Sequence, residues 1–278
     1  MRLSLSSFIV VFCFLTAVVT AQNQPEIGFH GGAMYYLGDL NQLTNFKCTK
    51  PTASLFVRFN PNNRINYRFM ITHGTVTGGD SLSKNEYIRN RNLSFKSPIT
   101  EASGIVEINY LPFVPGDKKK FYATPYLMFG LGVFKMNPQA QINGNWFELQ
   151  ALGTEGQGSK LSDKKKNRLT QLSIPVGIGF KGNLNKRFIL GFEYCIRKTF
   201  TDYMDDVSGD YVDPELLKKY NGPVAAAFAD RTLQSENINN TGLNRGNSVY
   251  KDWFATIGIY LAIKLGKEGD CYNWKRKK

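Results

Sequence analysis

Two histidines, a run of aspartates, scattered glycine-rich stretches and a few cysteines are the residues on which chemistry could rest. Neither His30 nor His73 has a Ser or Asp partner nearby in the sequence that would mark a nucleophilic triad, so both read as polar structural residues. Asp202, Asp205, Asp206, Asp210 and Asp213 are dense enough to suggest Ca²⁺. Their spacing lacks the D-x-D-x-D-G run that precedes the closing Glu of a calcium loop, and an acidic loop or a set of helix caps is the simpler reading. Gly28-Phe29-His30-Gly31-Gly32 and Gly130-Leu131-Gly132 open no helix and are weak as phosphate loops. Cys48, Cys195 and Cys271 are odd in number and widely spaced, with no CxxC, which leaves free thiols or at most one bridge. The expected catalytic, cofactor-binding and metal-binding sets are therefore empty, and no enzyme, cofactor or small-molecule substrate is expected.

The elements that carry these residues are more informative. The 278 residues are 42% hydrophobic and 13% aromatic, too rich in apolar side chains for disorder. A net charge of +13 first suggests nucleic acid. The N-terminus argues against that partner. Arg2, the apolar run Phe8 to Val19 and the small residues Val19-Thr20-Ala21 form a secretory signal over 1–21, and an exported protein meets no nucleic acid. Beyond the signal, no apolar run is long enough for a membrane helix.

Alternation with period two appears instead. Leu172, Ile174, Val176, Ile178 and Phe180 alternate with Ser173, Pro175, Gly177, Gly179 and Lys181; Trp253 to Leu265 and Leu190 to Thr199 behave alike. Eight such segments lie near 26–37, 52–60, 64–74, 99–112, 121–135, 168–181, 187–199 and 250–265. Short and long connections alternate between them. Eight strands with short turns at one rim and long loops at the other predict an all-β, eight-stranded antiparallel transmembrane β-barrel of the bacterial outer membrane, spanning 22–265 and followed by a basic periplasmic tail, 266–278. A water-soluble barrel would also alternate, with its apolar face inward. Two helices are expected in the last loop, one from Asp213-Pro214 and one from Gly222-Pro223.

Parity then sorts the side chains. Leu127, Phe129, Leu131, Ile174, Val176, Ile178, Ile257, Ile259 and Leu261 should face lipid. Arg58, Arg68, Glu107, Glu193 and Arg197 should face a lumen too narrow for bulk water, where charges must pair, with Glu107 and Glu193 bound by arginines of this set. Cys48 and Cys271 should lie on opposite sides of the membrane and stay unbonded to each other. The short turns and tail collect Arg64, Lys118, Lys119, Lys120, Lys181, Lys186, Arg187, Lys267, Lys275, Arg276, Lys277 and Lys278. That basic rim reads as a docking surface, as a merely solvated edge, or as an attraction for anionic lipid headgroups.

Several blocks resemble a known family. Glu26-Ile27-Gly28-Phe29 through Tyr35-Tyr36-Leu37-Gly38-Asp39-Leu40-Asn41 is similar to the opening of the PorG-type outer-membrane barrels associated with type IX protein secretion. The likeness continues through Arg197-Lys198-Thr199-Phe200-Thr201-Asp202-Tyr203, Asp205-Asp206-Val207-Ser208-Gly209, Asp213-Pro214, Ala229-Asp230-Arg231, Arg245-Gly246-Asn247 and Asp252-Trp253. The resemblance implies an accessory subunit in the outer membrane, in contact with outer-membrane lipid and with a periplasmic lipoprotein ring. On that reading Lys118, Lys119, Lys120, Tyr272, Trp274, Lys275 and Arg276 are the docking residues. A stand-alone barrel, working as adhesin, envelope stabiliser or enzyme, is the alternative.

Overall fold

Eight strands match the alternating segments and a short hairpin adds two more: β1 (Glu26–Leu37), β2 (Lys50–Phe59), β3 (Ile65–Gly79), β4 (Ser94–Asn109), β5 (Ala123–Met136), β6 (Gln139–Ile142), β7 (Asn145–Glu148), β8 (Thr170–Asn183), β9 (Phe188–Thr199) and β10 (Trp253–Lys264). The structure is a computed structural model describing residues 25–41, 46–119, 122–162, 164–233 and 239–265. Eight of the strands close into an antiparallel barrel in the order β3-β2-β1-β10-β9-β8-β5-β4, with β3 paired to β4. The first and last strands form the closing seam, from Glu26 opposite Lys264 to Leu37 opposite Trp253.

Which face points outward decides between the two barrel types. Leu131 is 73% exposed, Ile259 61% and Leu127 59%, and Phe129, Val176, Ile178, Ile257 and Leu261 are also exposed. Ile174 shares their face and is half-buried. Arg58, Arg68 and Arg197 are fully buried inside the wall. An apolar exterior around a charged interior is the arrangement of a barrel immersed in lipid, where a closed ring of strands satisfies every ladder hydrogen bond. The chain is therefore an outer-membrane protein. By the usual plan of such barrels, the short turns mark the periplasmic end and the long loops the outer end. An arginine in place of Ile259, near the middle of β10, should cost about 2–4 kcal/mol of barrel stability. Urea midpoints in lipid vesicles would measure it, and an unchanged midpoint would contradict the lipid-facing assignment.

The lumen is packed in two layers. Phe56, Met70, Ile105, Phe113, Tyr126, Met128, Ile189, Cys195, Tyr260 and Ala262 form one cluster. Met34, Tyr36, Val76, Phe95, Ile99, Phe134, Met136 and Phe254 form another, which continues into the outer loops through Leu40, Leu93, Leu149, Met204, Val207 and Phe228. Glycines make room: a Cβ on Gly28 would lie 2.1 Å from the Phe56 ring, and one on Gly32 would lie 2.1 Å from the Ile257 carbonyl. The glycine-rich stretch of β1 is thus a packing device.

Three features depart from the expected segments. Strands β3 and β4 run on to Gly79 and back to Ser94, beyond the expected ends at 74 and 99, because Thr75 to Gly79 and Ser94 to Pro98 stay paired above the membrane. The third long loop holds a hairpin, β6–β7, turning at Asn143 and Gly144 with φ of 51° and 82°, which suits the Asn-Gly preference of a tight hairpin turn. Helices α1 (Glu86–Arg91) and α2 (Leu149–Leu152) add to the expected pair, α3 (Pro214–Asn221) and α4 (Pro223–Ala229). Asp213 caps α3 by accepting from the amides of Glu215 and Leu216.

Candidate functional site

The charged lumen is assembled from side chains on six strands. Glu107 of β4 lies at its centre. Its Oε1 is 3.0 Å from Arg58 Nε and also contacts Arg68 Nη2, and its Oε2 is 2.7 Å from Lys181 Nζ. Arg58 Nη1 continues to Glu26 at 2.7 Å, and Arg68 Nη2 to Glu193 at 2.5 Å. Further along the lumen, Arg197 Nε meets Glu101 Oε2 at 3.1 Å, and Ser173 donates to the other Glu101 oxygen at 2.6 Å. The rings of Phe56 and Tyr260 flank both guanidinium groups, 4.6–5.4 Å from their centres, and supply cation–π contacts where hydrogen-bond partners run short. Four cations thus face four carboxylates inside the wall.

The structure brings Arg58, Arg68 and Glu107 together and gives Glu193 to Arg68, but it places Arg197 on Glu101. Lys181 is a correction to the reading of the rim. It lies two residues before the end of β8, on the inward parity, and is fully buried against Glu107, not displayed at the periplasmic edge. Glu26 sits at the first residue of β1, where alternation has too little flank to signal it. His30 is buried in the lumen, while His73 is exposed with Nδ1 2.9 Å from Thr100 Oγ1. Among the described residues neither imidazole is hydrogen-bonded to a carboxylate.

Above the lumen, the four long loops fold together into a cap. Arg91 of α1 grips Asp80 through two bonds of 2.7 and 2.8 Å and donates to the Arg245 carbonyl at 2.6 Å. Arg245 in turn lies 3.0 Å from Glu155 and donates to the carbonyls of Ala229 and Asp206. The Glu155 carboxylate also accepts from the Ser208 and Gly209 amides. Asp39 accepts from the Asn247 amide at 2.6 Å, and a Cβ on Gly246 would crowd that carboxylate. The blocks that carry the family resemblance, from Tyr36 and Asp39 to Arg245-Gly246-Asn247 and Asp252, converge here.

At the seam between cap and barrel, Tyr36 Oη lies 2.7 Å from Asp205 Oδ2 and 2.5 Å from Asp252 Oδ1. A phenol has one proton, so the second short contact needs a proton held by a carboxyl group. Burial raises both aspartates, Asp205 well above the usual range and Asp252 to about 8. Burial likewise lifts Asp206 to about 7, against the pull of Arg245, and Asp202 to about 6. The aspartate run 202–206 is buried structure, not a hydrated loop. Among the described residues, no group of three His, Cys, Asp or Glu side chains is arranged to hold a metal ion. Carboxyls with raised folded-state values stabilise the cap while protonated, and that stability is lost as pH rises through about 7–8. Limited proteolysis of the outer loops should accordingly be slower at pH 6 than at pH 9. Faster cleavage at pH 6, measured against a pH-corrected control substrate, would refute the sign.

At the opposite rim, Lys118 and Lys119 are exposed on the β4–β5 turn, as are Arg64, Lys186 and Arg187 on the other turns. The β4–β5 turn is fixed by Asn183, which donates to the Val114 and Asp117 carbonyls at 2.9 and 2.7 Å. Lys120, Tyr272, Trp274, Lys275 and Arg276 lie outside the described residues, as do the signal segment 1–21, the tail 266–278 and Cys271. Cys48 and Cys195 are free and buried.

Closed wall, apolar belt and charge-filled lumen define a small outer-membrane β-barrel. The chain belongs to the DUF6089 family, described as a domain of unknown function, whose model matches residues 5–221. No curated protein matches the sequence. Among solved structures, Ail of Yersinia pestis, crystallised with the heparin analogue sucrose octasulfate, is 9% identical, with 88% of this chain and 99% of that one covered at a TM-score of 0.41. OprG of Pseudomonas aeruginosa is 10% identical, with coverage of 88% and 99% and a TM-score of 0.40. Neisserial surface protein A is 10% identical, with coverage of 87% and 96% and a TM-score of 0.39.

Proposed function

We propose that this barrel is a non-enzymatic, non-conducting structural subunit of the outer membrane that serves a type IX secretion apparatus by holding a periplasmic lipoprotein ring. The observation that carries the structural part is the lumen, crossed by the buried Arg58–Glu26–Glu107–Arg68–Lys181–Glu193 network. A protein that passes nothing through itself acts through its two ends. The secretion role rests on the resemblance of its sequence blocks to PorG-type barrels, and the docking role on the exposed basic turns with Lys118 and Lys119. No cofactor, small-molecule substrate or nucleic acid enters this reading.

A second reading is a stand-alone barrel that works as an adhesin or envelope stabiliser. It is favoured by the convergence of the family blocks in the outer cap, away from the periplasmic rim. Crosslinking in intact envelopes separates the two. The first reading expects a periplasmic lipoprotein captured by wild type and released when Lys118, Lys119 and Lys120 are reversed to Glu and 269–278 removed. Equal capture by that variant sinks the docking claim. Capture of no periplasmic protein by wild type, with secretion intact in a deletion strain, sinks the first reading as a whole.

A further inference from the structure

Charge on the lipid-facing wall is sparse and one-sided. Along the outward parity of the eight barrel strands the charged side chains are Lys96, Lys135 and Lys198, with no Asp or Glu among them. Each lies within three residues of the outer end of its strand, on β4, β5 and β9. A lysine ammonium on a lipid-facing wall is costly in hydrocarbon and stable only where it reaches the headgroup layer. Lys135 and Lys198 therefore mark the outer headgroup level, while Lys96 lies in the paired stretch beyond it. The outward positions at the periplasmic ends, such as Ile27, Ile108, Phe188 and Ile263, are uncharged.

Two of the basic positions are close neighbours, and the other two lie apart from them along the strands. Lys135 stands opposite Thr170 of β8, and the ladder continues beyond the strand through the Met136 amide, which donates to the Leu169 carbonyl at 2.9 Å. Exposed Arg168 thus shares the outward parity and becomes the diagonal neighbour of Lys135, about 7–8 Å away, a gap that one phosphate can bridge. On the other side of β8, Lys198 is opposite Ile174, four residues along that strand from Thr170, which sets it roughly 15–17 Å from Lys135 and within reach of a second phosphate only. It reaches over Trp253. Lys96 lies four residues further out on β4 than Thr100, the partner of Lys135, with its Nζ 3.3 Å from the centre of the Trp146 ring. Neither Lys135 nor Arg168 has a carboxylate partner among the described residues.

We propose that Lys135, Arg168 and Lys198 form a binding site for the phosphate groups of a phosphorylated glycolipid of the outer leaflet, with the apolar wall below them taking its acyl chains. Charge complementarity selects the headgroup, and the outward parity selects a lipid over a soluble anion. The site is independent of the secretion reading, because it lies on the wall at the end opposite the basic turns.

The test is native mass spectrometry of the full-length mature barrel with added lipid A, either carrying its phosphates or dephosphorylated, and with phosphatidylglycerol. Wild type should retain the phosphorylated form over the dephosphorylated one. The combined Lys135→Gln, Arg168→Gln and Lys198→Gln variant should lose that preference by about tenfold or more. Lys118→Gln with Lys119→Gln at the other rim should keep it. Heat-modifiable gel migration confirms folding, and Lys135→Gln alone gives a smaller loss in the same direction if the triple variant does not fold. Equal retention of the dephosphorylated lipid by wild type overturns the proposal. So does an unchanged preference in the triple variant, or loss only in the Lys118/Lys119 variant.

Discussion

Alanine at Glu107 should unfold the barrel at markedly lower denaturant than any other single change in the lumen. The side chain is the shared partner of Arg58, Arg68 and Lys181, and all four residues are fully buried. Its removal leaves Lys181 without a carboxylate and Arg58 and Arg68 with one each, Glu26 and Glu193, all three cations fully buried. Breaking a buried ion pair by deleting one partner costs about 3–5 kcal/mol, and most of that is the uncompensated charge left behind. Adding Lys181→Met to Glu107→Ala should recover part of the loss, since the stranded cation goes with it. A double-mutant cycle read by urea unfolding in vesicles measures this, and a coupling energy near zero would show that the network does not act as a unit.

The second large effect is expected at Arg245, in a different place and with a different signature. Its guanidinium ties Glu155 to the carbonyls of Ala229 and Asp206, and its own carbonyl is held by Arg91. Arg245→Ala removes the charged partner of the buried Glu155 carboxylate, leaving it the Ser208 and Gly209 amides, and should cost the cap about 3 kcal/mol, the low end of the range for a broken buried pair. The loss stays local, because these residues lie outside the barrel ladder. The variant should keep heat-modifiable migration while its loops are cut by protease within minutes. Loops as resistant as those of wild type would mean that the cap is held by its apolar contacts alone.

The wall was legible because a strand writes its environment into every second residue. Leu127, Phe129 and Leu131 alternate with Met128 and Gly130 over enough positions to fix both the element and its face. Glu26 is hard for the complementary reason, being the first residue of its strand, whereas Lys181 is on the polar parity of β8 and only its nearness to a short turn makes it read as rim. The cap was not legible. Its apolar residues, Leu40, Leu93, Leu149, Met204 and Phe228, come from four separate loops and have no shared period. Asp205 and Asp252 lie far apart in the chain and meet on Tyr36 only in three dimensions. The signal for the hairpin was present in Asn143-Gly144. The signal for the cap was present too, but only as recurring blocks without a geometry to join them.

The way the cap is tied to the closing seam sets an order of events during biogenesis. Tyr36 belongs to the first strand and Asp252 directly precedes the last, and the two are brought side by side only when β1 and β10 zip from Glu26–Lys264 to Leu37–Trp253. Contacts between such distant parts of the chain carry the largest loop-closure penalty and form late. Until the seam is shut, Asp252 has no phenol to share and Arg91 has no settled Arg245 carbonyl to hold. Protease resistance of the outer loops is thus a molecular receipt for completed insertion, issued on the cell's exterior by a junction that closes inside the wall.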